Sequence, residues 1–163
     1  MKVIDNHLSE SHFKHIQSVL MADDFPWFFQ DGINYIPDLD RYQFTHLFYD
    51  YQNNSKSNRN SDWLEFVDSI VEFHFLKRIK ANLNHRTLFH RKSGYHVDYV
   101  SNPSHKTSIF YINTNNGWTE FANGDRVKCV ENRLVTFDSN LKHQGVTCTD
   151  KKRKIVINLN YEG

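Results

Sequence analysis

The sequence predicts a mainly β protein whose helices are confined to its N-terminal part, with the strands forming a sandwich or a jelly-roll barrel. Two observations carry that prediction. After Leu83 apolar residues recur at every second position in short runs, and turn-forming sets such as "NPS", "NTNNG", "NGD", "DSN" and "TDKK" break those runs. Before Leu83 the spacing becomes helical in two places, among segments crowded with aromatic residues.

In chain order, Leu8 to Ala22 carries Phe13, Ile16, Val19 and Leu20 at helical spacing, with Ser9 or Ser11 placed to cap. "FPWFFQDGINYI" and "YQFTHLFYDY" read as aromatic strands, and Gln52 to Ser61 as a polar loop, either plain linker or a cover over a site. A second helix is expected from "SDWLEF", where Asp62 and Glu65 have capping-box spacing. Its stripe would be Trp63, Phe66, Val67, Ile70, Phe73 and Leu76, and its basic end Lys77, Arg78 and Lys80. Eight strands should follow: "RTLFHR", "GYHVDYV", "HKTSIFYIN", "GWTEFA", "DRVKCV", "RLVTFD", "KHQGVTC" and "RKIVINLNY". At 163 residues and 19.4 kDa the chain is expected to be a single domain, 1–163, in which 1–83 supports a strand-rich core at 84–163.

Composition narrows the function. A formal net charge of +1, with both signs scattered, gives no electrostatic footprint for nucleic acid. Cys129 and Cys148 are too few for a disulfide framework and fit a reducing compartment. No signal-peptide core is present, and no apolar run approaches the ~18 residues of a membrane span. A cytoplasmic, soluble protein with no membrane partner is the expectation.

The chemistry centres on "RKSGYHVDYV". Ten histidines and thirteen aspartates in this length would produce roughly 0.8 H-x-D triplets by chance, so His96-Val97-Asp98 means little alone. On a strand, however, His96 and Asp98 project to one face, giving two adjacent ligands of a facial metal triad. The third must come from another strand. His105 and His143 lie downstream, and His143 is favoured because a basic residue, Arg153, follows ten positions later, whereas Asn115 stands at that distance from His105. The other histidines have no partner spacing and are expected in packing or surface roles, as His105 is in a turn.

H-x-D, a distal histidine and a basic residue ten positions on resembles the 2-oxoglutarate- and Fe(II)-dependent oxygenases of the prolyl 4-hydroxylase type. "TSIFYIN" is similar to that family's T-x-x-x-Y-L-N strand, "NNGWTEF" to its glycine turn, and "NRLVTFDSNLKHQG" to the stretch around its distal histidine. The likeness covers about Leu83 to Tyr161, and small bacteriophage-encoded members look most similar, which would place the protein in a host cytoplasm. It implies a double-stranded β-helix, the jelly-roll or cupin-like core, supported by two α-helices. It also implies Fe(II) held by His96, Asp98 and His143, with 2-oxoglutarate and O2 as cosubstrates and ascorbate as an optional reductant. Arg153 and Tyr111 would hold the cosubstrate, and Thr107 and Asn113 would stand in the cosubstrate or substrate pocket. Two positions where members often carry a hydroxyl partner for that carboxylate are Ile155 and Ile157 here.

Guanidinium suits the assigned role because it grips a carboxylate with two parallel hydrogen bonds. On its strand Arg153 shares a face with Ile155, Ile157 and Leu159, which reads as an apolar inner wall, with Lys151, Lys152 and Lys154 turned to solvent. The implied reaction is hydroxylation of a prime substrate with release of succinate and CO2. Retention of Asp98 favours hydroxylation over halogenation. Proline, free or peptidyl, is the substrate that the resemblance suggests, although fold analogy does not choose among proteins and small molecules. Two competing classes are a non-catalytic jelly-roll module, binding or virion-associated, and a cupin-like metal enzyme without 2-oxoglutarate. Neither needs a buried cation at a fixed distance from a ligand.

Overall fold

Residues 1–32, 42–51, 55–56, 67–98 and 104–163 are described by the computed structural model. The strands are β1 (Lys2–Ile4), β2 (Phe28–Gln30), β3 (Gln43–Asp50), β4 (Ser55–Lys56), β5 (Phe75–His85), β6 (His105–Tyr111), β7 (Trp118–Phe121), β8 (Arg126–Lys128), β9 (Arg133–Asp138), β10 (His143–Val146) and β11 (Arg153–Glu162). Helix α1 (Glu10–Met21) lies between β1 and β2. A large antiparallel sheet has the order β1-β9-β6-β11-β5-β3-β2, with β4 beside β3, and a small one has the order β10-β7-β8. Together they form the jelly-roll core, a double-stranded β-helix.

Helix α1 begins where expected. The Ser9 hydroxyl accepts from the His12 amide, and Glu10 in the first turn suits the positive end of the helix dipole. Phe13, Ile16 and Leu20 are buried on one stripe. They meet odd-numbered residues of β5 and β11, namely Ile79, Ala81, Leu83, Ile155, Ile157 and Leu159, together with Phe110 and Leu134. The opposite face of the large sheet packs Ile109, Tyr111, Val135, Phe137 and Val156 against Phe121, Val127 and Cys129, which forms the barrel interior. The large sheet is therefore buried on both faces, by the helix on one side and the small sheet on the other.

The second expected helix is only partly realised. Asp62, Trp63, Glu65 and Phe66 lie outside the described residues, Val67 and Asp68 are helical, and Val67 and Ile70 are buried in the helix-side core. From Phe75 the chain is strand β5, so Leu76, Lys77, Arg78 and Lys80 are not on a helix, and Phe73 is 38% exposed. Ile79, Ala81 and Leu83 alternate with Lys80, Asn82 and Asn84, and β5 sits between β3 and β11 with a ladder on each edge. That long-range pairing overrides the helical spacing upstream.

Six of the eight expected strands form. "RTLFHR" is an irregular turn in which Leu88 and Phe89 are exposed, and "GYHVDYV" makes one isolated bridge, at His96, with Tyr99 and Val100 outside the described residues. Of the segment Gln52 to Ser61, only Ser55–Lys56 is described, paired with Tyr49 and Asp50. Cys129 and Cys148 are buried free thiols, and no described helix is long and apolar enough to cross a membrane.

Ile16 is fully buried where α1 meets the sheet. Truncating it removes apolar contacts and leaves a cavity, so Ile16→Ala should lower the unfolding free energy by about 2–5 kcal/mol in urea melts. An unchanged midpoint would show that the helix is not packed there.

Candidate active site

The stretch Arg91–Asp98 runs antiparallel beside β10. Amide hydrogen bonds join Ser93 to Gly145 and Thr147 to Arg91, and His96 and His143 exchange both of theirs at 3.0 Å. Residues directly opposite in an antiparallel pair present their side chains on the same face. The two imidazoles accordingly lie 4.4 Å apart between centroids. Gly94, two residues before His96, has φ +91°, a left-handed conformation that glycine adopts without strain, and its carbonyl faces His96 Nδ1 at 3.3 Å. The turn before the triplet thus aims the first ligand.

Asp98 completes the group. Its carboxylate lies 3.8 Å from His96 Nε2 and 4.0 Å from His143 Nε2. One potential donor atom from each residue falls within 4.8 Å of the others, and among the described residues no other such cluster of His, Cys, Asp or Glu occurs. Both imidazoles turn Nδ1 to a backbone carbonyl, His96 to Gly94 and His143 to Leu141 at 2.9 Å. That arrangement places the proton on Nδ1 and leaves Nε2 as the lone-pair donor, the tautomer a metal requires. Two imidazoles and one carboxylate on one side, with the other side open to a cavity, suit a non-haem iron(II) ion.

A polar network orients the carboxylate. Thr107 Oγ1 donates to Asp98 Oδ2 at 2.7 Å and Asn160 Nδ2 donates to the same oxygen at 3.0 Å. Because the Thr107 proton is committed there, the Ser139 hydroxyl, 3.0 Å away, must donate to Thr107. Arg78 stands 3.7 Å from Asp98 Oδ1 and donates to Asn160 Oδ1. Burial alone would raise the Asp98 pKa, but the His143 and Arg78 charges and the Thr107 hydrogen bond outweigh it, so the carboxyl lies below its ordinary range and stays ionised. Burial, and then the His143 charge, lowers the His96 pKa and keeps that ring neutral.

A cavity of about 290 Å³ opens from the triad into the barrel. Its lining includes His96, Asp98, His143, Thr119, Val146 and Lys154. Lys154 is 3% exposed, and its ammonium donates to the carbonyls of Val146 at 2.8 Å and Trp118 at 3.1 Å. Tyr111 is wholly buried, with its hydroxyl donating to Thr119 Oγ1 at 2.7 Å. Burial and the adjacent Cys129 thiol push the Tyr111 hydroxyl well above its ordinary pKa, so it remains a neutral donor.

The structure therefore brings together His96, Asp98 and His143, places Tyr111 in the barrel interior, and gives Thr107 to the Asp98 network. Four expectations are corrected, those for Arg153, Lys154, Asn113 and His105. Arg153 faces α1, not the cavity, and donates to the Met21 carbonyl at 2.6 Å, while Lys154, expected in solvent, is the inward cation. The cause is parity: on β11 the odd residues pack on the helix and the even ones line the barrel, so Ile155 and Ile157 stand outside the pocket too. Asn113 ties strand ends together, donating to the Arg153 carbonyl and accepting from the Ile155 amide, and does not line the cavity. His105 opens β6 and pairs with Glu162. Arg78, Asn160 and Ser139 are not among the residues expected at the site; the signal for the first two is the run of polar residues at even positions, 78 to 84 on β5 and 158 to 162 on β11.

No protein-family model matches the chain, and no curated protein is similar to it in sequence. Solved structures are similar in fold. An oxidoreductase of the 2OG-Fe(II) oxygenase family from Burkholderia pseudomallei superposes with a TM-score of 0.68 at 10% identity, over 98% of this chain and 84% of the other. A prolyl-4-hydroxylase from Pseudomonas putida gives 0.61 at 13% identity, over 99% and 92%. A Trichoplax adhaerens prolyl hydroxylase, bound to a peptide fragment of the hypoxia inducible factor oxygen degradation domain, gives 0.65 at 14% identity, over 99% and 83%. At such identities the likeness is one of fold.

Divalent metal should raise the melting temperature of the wild type and leave His143→Ala and Asp98→Ala unmoved. Metal affinity should hold between pH 7 and 8 and decline in more acid solution, because protons then compete for the His96 Nε2, whose lowered pKa sets that decline below the ordinary imidazole range. Thermal melts check the first and calorimetric titration the second, and a metal-dependent rise in the melting temperature of His143→Ala would remove that residue from the ligand set.

Proposed function

We propose that the chain is an Fe(II)- and 2-oxoglutarate-dependent oxygenase that hydroxylates its substrate and releases succinate and CO2. The observation that carries this reading is the pairing, within one cavity, of the His96–Asp98–His143 group with a buried cation, Lys154. When bound, iron(II) with 2-oxoglutarate and dioxygen supplies the oxidising chemistry, and the protein supplies position and environment.

His96, Asp98 and His143 hold the metal, with Thr107 and Asn160 fixing which Asp98 oxygen points to it. Val146 lies three positions along β10 from His143, about 10 Å of strand, and its carbonyl receives the Lys154 ammonium. Lys154 therefore stands at the far end of the cavity from the ligands, where it holds the distal carboxylate of the cosubstrate. Its present partners are neutral carbonyls; an anion there offsets the cost of burying the charge. Thr119 lines the cavity and provides a hydroxyl there, held by the buried Tyr111 hydroxyl that donates to it. Ile109, Val146 and Val156 make the walls apolar and exclude water. A metal enzyme without a dicarboxylate cosubstrate has no need of Lys154 in this place. Proline, free or within a peptide, is the substrate class that the prolyl hydroxylase likeness suggests.

Anaerobic addition of Fe(II) and 2-oxoglutarate should produce the weak visible charge-transfer band of the chelated cosubstrate. Lys154→Met, which keeps the bulk and removes the charge, should weaken 2-oxoglutarate binding at least tenfold, whereas Arg153→Ala should leave it within about twofold. No band in the wild type, or a band sensitive to Arg153 and indifferent to Lys154, would sink the assignment. Asp98→Ala should abolish succinate formation, and retained turnover would show the ligand set to be wrong.

A further inference from the structure

We infer that the wall of the cavity formed by β5 is an anion-binding subsite for the prime substrate, with Lys80 gripping a carboxylate or phosphate and Asn82 and Asn158 accepting from donors beside it. The inference rests on the oxygenase reading of the pocket and names the chemistry of the group that pocket receives.

The barrel-facing positions of β5 are Arg78, Lys80, Asn82 and Asn84, all polar, on a strand buried between β3 and β11. Side chains two apart on a strand stand about 7 Å from one another on the same face. Arg78 is occupied by Asp98 and Asn160. Lys80, the next residue along that face, lines the cavity, yet no hydrogen bond or ion pair to its ammonium is found among the described residues. Burial and the neighbouring Arg78 charge draw its pKa down to about 8 against the opposing pull of the Asp98 charge, so at neutral pH it remains protonated with no carboxylate in contact among the described residues.

Two further groups point the same way. Asn82 is 7% exposed, lines the cavity, and its Oδ1 has no hydrogen-bond partner. Asn158 lies opposite Lys80 in the β5–β11 register, lines the cavity, and its Oδ1 is likewise buried and unpaired. Buried amide oxygens without donors are uncommon and costly. One unpaired cation between two unpaired acceptors is complementary to an anionic group carried next to N–H or O–H donors. Cosubstrate does not account for the set, since Lys154 lies at the other end of the cavity, beside Val146 and Trp118. Because Arg78 touches Asp98 and Lys80 is one strand step beyond, the carbon to be oxidised should lie about 7 Å from the anionic group. The cavity must also admit the cosubstrate, so the room left suits a small molecule or one side chain.

The test is calorimetric titration of two probe pairs, N-acetyl-L-proline against N-acetyl-L-prolinamide and glycerol 3-phosphate against glycerol. Each is titrated into metal-free protein and into protein loaded anaerobically with Fe(II) and 2-oxoglutarate. Expected is binding of at least one anionic probe and at least tenfold weaker binding of its neutral counterpart. That binding should be lost at least tenfold in Lys80→Met and kept in Lys80→Arg, with the 2-oxoglutarate band unchanged in both. The preferred pair tells carboxylate from phosphate. Equal binding of charged and neutral probes, no binding of any probe, wild-type binding by Lys80→Met, or loss of the 2-oxoglutarate band in Lys80→Met would each overturn the inference. If the wild type gives no band at all, the oxygenase reading falls, and the Lys80 dependence in metal-free protein still decides the anion subsite.

Discussion

Strand β11 is the constraint on which the rest of the molecule depends. It pairs with β5 along one edge and β6 along the other, and it is covered on both faces. Its odd residues Ile155, Ile157 and Leu159 are fully buried against the helix-side core. Each such side chain contributes about 1.5–3 kcal/mol by burial. Its even residues Lys154, Val156, Asn158 and Asn160 look into the barrel. A slip of one residue would put isoleucines where the cavity is and charges where the helix packs. The apolar face thus fixes the register, and the register in turn places Lys154 at one end of the cavity and Asn160 at the other, beside Asp98.

The same strand explains what was legible in the sequence and what was not. His96 and Asp98 could be placed on one side from their spacing, and His143 could be joined to them through the basic residue ten positions on, although that residue, Arg153, faces α1 and its neighbour Lys154 faces the cavity. Arg153 and Lys154 are adjacent, so only parity separates them, and parity gives no sign of which face is the inside when both are buried. The usual rule that apolar faces point inward fails on β11 because its barrel-facing side mixes Val156 with Lys154, Asn158 and Asn160 along the cavity, while its wholly apolar run packs at the sheet–helix interface. Arg153 lies near the edge of that interface, where the free carbonyl of Met21 at the end of α1 receives its guanidinium. The missed strand β5 has a related cause. Val67 and Ile70 do pack as a helical stripe would, but the alternation from Ile79 to Leu83 is decided by ladders to β3 and β11, which lie far away in sequence.

Polar residues inside a barrel need partners, and the way those partners are distributed divides the cavity by role. Around Asp98 the network is closed: Thr107, Asn160, Ser139 and Arg78 satisfy one another and hold the carboxylate rigidly. A closed network fixes geometry, which is what a metal ligand requires. Lys154 is held by backbone carbonyls alone, which satisfies its donors without neutralising its charge. The Lys80 ammonium and the Oδ1 atoms of Asn82 and Asn158 have no hydrogen-bond partner among the described residues. Under the proposed function these three conditions correspond to ligand support at Asp98, a cosubstrate end at Lys154, and a substrate wall one step along β5 from Arg78. The closed network holds Asp98 in place, and the open groups that line the cavity, Lys80, Asn82 and Asn158, are assigned under the proposal to a ligand that arrives from outside.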